Sequence, residues 1–182
     1  MNKFFGHLRT VMKHRRTVFV HCCRAGIPWQ GLWHDFSKYS PSEFIPSVKH
    51  YAGGVKSPNE LERADYGFSL AWMHHKGRNK HHFEYWTDYD PVTHEMSPVK
   101  MPKRYIAEMF CDRVGASKVY KGNAYTDAAP YEYYMRAKAR RKIHPETAAQ
   151  IEMLLEMLRD KGEKETFCYI KHVFLRQNKD NK

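Results

Sequence analysis

The sequence predicts an all-α protein, a single compact helical bundle of about seven to nine helices. Helix-start signals recur along the chain, apolar residues return at three- and four-residue intervals, and no series of alternating strands bounded by hairpin turns is present. The first helix is expected from about Lys3 to Arg24, ending near Gly26, with His14, Val18, His21, Cys22 and Ala25 along one face. A short helix around Trp29 to Phe36 carries the His34-Asp35 pair. Ser40-Pro41-Ser42-Glu43 reads as a capping box opening a helix to about Tyr51, with Ser40 as N-cap and Glu43 reaching back to it.

Ser57-Pro58-Asn59-Glu60 repeats that pattern, and the helix behind it, with apolar Leu61, Ala64, Phe68, Ala71 and Trp72, delivers His74 and His75 at its end. Lys76 to Lys80 reads as a polar turn around Gly77, and Asp88 to Met101, holding Pro91 and Pro98, as an irregular surface stretch. Pro102 opens a helix in which Ile106, Met109, Phe110 and Arg113 share a face with Asp112 beside it. The segment from Gly115 to Ala129 follows. Pro130 and Pro145 each read as the first residue of a later helix, and Ile151, Leu154, Leu155 and Leu158 form a core stripe.

A chain of 182 residues can bury one sizeable core, and no Gly-, Ser- or Pro-rich stretch divides it, so one domain over 1–176 is expected, with a frayed tail at 177–182. No apolar run approaches the roughly 20 residues of a membrane span, and the basic N-terminus lacks the apolar region of a signal peptide, so the expected location is the cytoplasm. Cys22, Cys23, Cys111 and Cys168 show no metal or disulfide spacing and read as reduced, mostly buried thiols. Lys and Arg outnumber Asp and Glu by 31 to 20, which favours an anionic partner over a cationic one.

Histidine placement carries the chemistry. Eight of the twelve histidines fall between His14 and His82 rather than being spread evenly. Neutral imidazole is the commonest protein ligand for transition metals, and aspartate balances the ion's charge. The order is His14 or His21, then His34-Asp35, then one residue from each of the pairs His74/His75 and His81/His82, then Asp112. An aspartate between two ions can bridge them while the neighbouring histidine caps one, which suits a two-metal centre. His7, His50, His94, His144 and His172 lack such company and read as surface or capping residues.

This order resembles the H…HD…H…H…D pattern of the HD-domain superfamily. His14-Arg15-Arg16-Thr17-Val18, with Cys22 and Ala25-Gly26-Ile27, is similar to the first helix of those proteins. Trp33-His34-Asp35-Phe36-Ser37-Lys38 is similar to their HDxGK segment, with Ser37 in the glycine position. His75, Asn79, His81-His82, Tyr85-Trp86 and Glu108-Met109-Phe110-Cys111-Asp112 resemble a small bacterial and phage HD-like family. The resemblance covers most of residues 10 to 115.

The resemblance implies a metal-dependent phosphohydrolase holding two divalent ions, of iron, manganese, cobalt or magnesium. His14, His34, Asp35 and Asp112 would hold one ion, and Asp35 would bridge to a second held by His75 and by His81 or His82. The substrate would be a small anionic phosphorylated molecule, a nucleotide foremost. Lys38 is placed to contact a substrate phosphate or to pair with Glu43, Arg78 and Lys80 to add phosphate contacts, and Tyr85 or Trp86 to stack on a base. A second reading is a di-iron oxygenase on the same frame. A third, drawn from the run Arg136-Ala137-Lys138-Ala139-Arg140-Arg141-Lys142, is a non-catalytic nucleic-acid-binding module whose basic helix tracks phosphates.

Overall fold

The computed structural model describes residues 2–177. It is all-α: eight α-helices and one two-stranded ribbon among those residues. The long helix α1 (Lys3–Ala25) is capped by the Asn2 side chain and ends at Gly26, whose φ of 82° suits a residue without Cβ. It lies against α2 (Pro28–Trp33) and α6 (Lys103–Lys121). Two glycines set those approaches. A Cβ on Gly31 would lie 2.5 Å from Cys22 Cβ, and one on Gly115 would lie 2.7 Å from Val18 Cγ2. Gly115 therefore lies inside α6, where it lets the helix cross α1 and continue to Lys121, rather than opening a separate segment to Ala129.

Helices α3 (Pro41–Lys49), α4 (Pro58–Tyr66) and α5 (Leu70–Arg78) form a second group packed on the first half of α1. The single helix expected across Leu61 to His75 is two. Gly67 takes φ 79° and closes α4, and Ser69 caps α5 by accepting a hydrogen bond from Trp72 N at 3.0 Å. Helix α5 then runs through Gly77 to Arg78, so the turn expected at Lys76 comes later, at Asn79. The stretch read as irregular contains an antiparallel pair, β1 (Thr87–Tyr89) with β2 (Met96–Pro98), where Thr87 faces Pro98. It is small, with β1 exposed and β2 half-buried at Ser97 and Pro98.

Helices α7 (Ala129–Arg136) and α8 (Pro145–Tyr169) close the bundle. Ile151, Leu154, Leu155 and Leu158 are fully buried, joining Val18, Ile106 and Phe110 in one apolar cluster. At roughly 25 cal/mol for each Å² of apolar surface removed from water, such side chains stabilise the fold by about 1.5–3 kcal/mol each. Gly162 interrupts α8 with φ 75°, and a π-turn over Ile170–Phe174 follows. Of the cysteines, Cys22 and Cys111 are buried while Cys23 and Cys168 are exposed, so burial holds for half of them. Of the expected tail, Gln177 accepts a hydrogen bond from Lys103 at 3.0 Å, and 178–182 lie outside the described residues. Among the described residues, no helix is long and apolar enough to cross a membrane.

Candidate metal centre

Asp35 occupies the middle of the site, and the backbone bends to put it there. Helix α2 stops at Trp33, His34 leaves the helical region with ψ 128°, and Asp35 adopts a left-handed φ of 54°. A helix through Phe36 was expected; the pair instead sits in the break before a short 3-10 turn, Phe36–Tyr39. Positive φ on a non-glycine residue is uncommon and costs of order 1–3 kcal/mol, so the surroundings must hold it. Arg15 does so, donating from Nε to the His34 carbonyl at 2.8 Å and from Nη2 to the Leu32 carbonyl at 3.0 Å.

The two carboxylate oxygens of Asp35 face different partners. Oδ2 lies 3.3 Å from His14 Nε2 and 3.5 Å from His34 Nε2. Both imidazoles also approach Asp112 Oδ1, at 3.1 and 3.5 Å. Oδ1 lies 3.2 Å from His75 Nε2 and 3.3 Å from His81 Nε2. His14, His34, Asp35 and Asp112 thus make one group that can hold a metal ion, and Asp35, His75, His81 and His82 another. Four elements contribute: α1, the turn after α2, α5 with the loop behind it, and α6.

The donor atoms fit such ions. Ligands about 2.1 Å from one ion sit about 3.0–3.4 Å apart, close to the 3.1–3.5 Å spacing around Asp35 and Asp112. His34 Nε2, Asp35 Oδ1, His81 Nε2 and His82 Nε2 are buried with no hydrogen-bond partner among the described residues. Buried polar atoms rarely go unpaired, and four converging on one small volume mark a place for a cation. His82 is held well below its usual pKa by burial and by His81 and His75, which keeps it in the neutral form a ligand needs.

Two carboxylates that the sequence did not single out as functional set the imidazoles in place. Glu108 Oε1 lies 3.0 Å from His34 Nδ1 and 3.1 Å from His81 Nδ1, and Oε2 accepts from Gln30 Nε2 at 2.8 Å. Burial works against the Glu108 charge, but the hydrogen bonds from His34 and His81 hold its pKa at about 2. An ionised carboxylate only accepts, so both imidazoles donate from Nδ1, which leaves Nε2 of each ring facing Asp35. Glu43, expected to cap α3, is buried and accepts from His75 Nδ1 and His74 Nδ1, both at 2.7 Å. No side-chain hydrogen bond caps α3.

That contact separates the first histidine pair: His75 points at Asp35, whereas His74 is bound between Glu43 and Ser42 Oγ. His81 and His82 both remain within reach of the same group. His21 belongs elsewhere, stacked on Phe167 with Lys118 Nζ 3.3 Å from its Nε2. Lys38 does not pair with Glu43; its Nζ sits 3.2 Å from Asp35 Oδ2. Asp35 is held well below the usual carboxylate range, burial being outweighed by the charges of His34, Lys38 and His75. Of the five histidines read as surface or capping residues, His7 and His50 are buried, His7 against Phe44 and Tyr51 and His50 against Tyr66. His144 caps α8.

A cavity of about 910 Å³ opens over this cluster, with His14, Asp35, Lys38, His75, His82 and Asp112 in its lining. Arg78 and Lys80 are not there. They face a separate shallow pocket of about 320 Å³ beside Trp29 and Trp33, whereas His75 and Lys76 of the same last turn of α5 line the cavity. Tyr85 and Trp86 also stay outside: Trp86 packs on the core and donates from Nε1 to the Lys80 carbonyl at 2.8 Å. The basic run is not one helix. Helix α7 ends at Arg136, and Arg140, Arg141 and Lys142 line the cavity, so the run does not form the continuous basic helix expected.

Fold and site together define an all-helical protein with a buried His/Asp/Glu cluster able to hold metal ions at the floor of a cavity. The chain belongs to a family of unknown function (DUF5662), whose model matches residues 3–157. That match takes in every residue of the cluster. No curated protein and no solved structure matches the chain.

Proposed function

We propose that this protein is a metal-dependent phosphohydrolase of the HD type, acting on a phosphorylated small molecule, foremost a nucleotide. His14, His34, Asp35 and Asp112 would hold one ion, and His75 with His81 or His82 a second, with Asp35 shared between them. The observation that carries this reading is the division of Asp35: Oδ1 faces His75 and His81, Oδ2 faces His14 and His34, at the floor of a cavity. Two divalent ions bound there would supply an acidified water and offset charge on phosphoryl oxygens.

The chain's own groups do the rest. Lys38 carries its ammonium beside Asp35 and within the cavity lining, where it can bind a phosphoryl oxygen without leaving its ion pair. Glu108 and Glu43 keep Nε2 of three imidazoles turned inward. Trp72 and Tyr51 on the wall give a nucleoside an aromatic surface. The test is a screen of metal-loaded protein on nucleoside mono-, di- and triphosphates and a generic phosphodiester, with Asp35→Asn as control. Turnover absent from the variant supports the reading. Metal-replete protein inert on every phosphoester contradicts it.

An imidazole-rich donor set also suits iron, which favours di-iron oxygenation as the second reading. Oxygen consumption with a phosphonate or polyol would select it.

A further inference from the structure

The cavity lining carries, besides Lys38, a second cationic feature that the metal cluster does not use. Helix α6 brings Asp112 to the cluster and the next residue, Arg113, to the cavity lining. Arg141 reaches the same wall from the segment after α7. Their guanidinium carbons lie 5.4 and 4.6 Å from the ring centre of buried Tyr134, so one ring orients both side chains. Arg141 Nη1 donates to the Tyr134 carbonyl at 2.5 Å. Arg113 has only the weak acceptor Met109 Sδ at 3.8 Å, and its Nε is buried with no partner among the described residues.

Neither arginine is in an ion pair among the described residues, whereas Arg24, Lys100, Lys118, Lys138 and Arg159 each are. Burial and the nearby Arg113 charge hold the Arg141 guanidinium below its ordinary pKa, with Tyr134, Tyr133 and Glu84 acting the other way. Two partly buried like charges sharing one ring, without a carboxylate in contact, are unfavourable unless an anion arrives. Exposed Arg140 and Lys142 flank them at the rim. Planar guanidiniums present paired N–H donors whose spacing matches the oxygens of a phosphoryl group.

We propose that Arg113 and Arg141, assisted by Arg140 and Lys142, form an oxyanion subsite that takes a phosphoryl group of the ligand other than the one placed at the metal cluster. The ligand then carries two phosphoryl groups, one at Asp35 and one anchored on Tyr134's arginines. The subsite itself stands on the geometry of α6 and the segment after α7; only the statement that the anchored ligand is a substrate rests on the phosphohydrolase reading.

The test is calorimetric titration of chelator-treated protein, and of Asp35→Asn, with inorganic phosphate and with pyrophosphate. Both proteins should bind inorganic phosphate, with affinity falling as salt rises. Affinity should fall at least about tenfold in the Arg113→Gln/Arg141→Gln double variant and less in each single variant. Arg16→Gln, an exposed cation away from the cavity, should bind as wild type. Should the double variant not fold by circular dichroism, Arg113→Lys, which keeps the charge and loses the fork, should weaken binding several-fold.

Probe binding unchanged in the arginine variants, or abolished by Asp35→Asn, would overturn the subsite. A protein that retains no metal but binds phosphate through Arg113 and Arg141 would sink the hydrolase reading and leave the subsite standing. With metal-loaded protein, a KM raised at least tenfold by the double variant for a nucleoside diphosphate and unchanged for p-nitrophenyl phosphate assigns the anchored group to the substrate. A change confined to inhibition by free phosphate overturns that assignment.

Discussion

Glu108→Ala should weaken both metal sites at once. Its Oε1 accepts from His34, a member of the first donor group, and from His81, a member of the second, at 3.0 and 3.1 Å. Removing the carboxylate leaves two buried Nδ1–H groups without an acceptor, at about 1–3 kcal/mol each, and frees both rings to rotate or change tautomer. Loss of one such outer contact typically costs about 10–100-fold in metal affinity, so that loss is expected at each site. Glu43→Ala removes the acceptor for His75 alone in the cluster and should weaken the second site only. Titration of chelator-treated protein with Mn²⁺ or Co²⁺ would resolve the two steps. Wild-type affinity at either site in Glu108→Ala would refute the shared role.

Other perturbations separate the site from the scaffold. Gly31→Ala places a methyl group 2.5 Å from Cys22 Cβ and 3.2 Å from the Phe19 backbone, and should cost about 1–3 kcal/mol, read as a lower Tm; an unchanged Tm would mean that α1 and α2 can separate freely. His75→Ala should lose metal at the second site while His74→Ala retains it, as measured by equilibrium dialysis, and equal losses would contradict the split. Burial, and then the Lys118 charge, lower the His21 pKa from 6.5 to about 4. The folded state therefore favours neutral His21, and the stability this gives is full above pH 6.5 and lost as pH falls toward 4. Between pH 8 and pH 5 the loss is about 2 kcal/mol, and His21→Phe should show a correspondingly smaller fall in denaturation free energy. An identical fall in both proteins would assign the acid sensitivity to other groups.

The order of the clustered residues along the chain was readable because each lies beside a local signal: His14 on a long amphipathic helix, His34-Asp35 before Lys38, Asp112 within α6. What escaped depended on contacts between elements. Ser40-Pro41-Ser42-Glu43 is the string of a capping box, and only the packing of α5 on α3 reveals that Glu43 serves His74 and His75 instead. Glu108 sits four residues before Asp112, one helical turn away, and its role depends on where His81 falls after α5 ends. Arg78 and Lys80 flank the end of α5 in sequence close to His75 and His81, but only the packed structure shows that both line the other pocket. The left-handed bend at Asp35 has no sequence signature of its own, since aspartate only tolerates such a φ.

Metal content per chain tests the central claim most directly. Protein purified without chelators and analysed for iron, manganese, cobalt, nickel, copper and zinc, then reconstituted and dialysed, should hold two ions per chain. Asp35→Asn, equally folded by circular dichroism, should lose both, because the carboxylate that faces each group is gone. Two ions retained at full affinity in Asp35→Asn, or no stoichiometric metal in the wild-type protein under any reconstitution, would contradict the account.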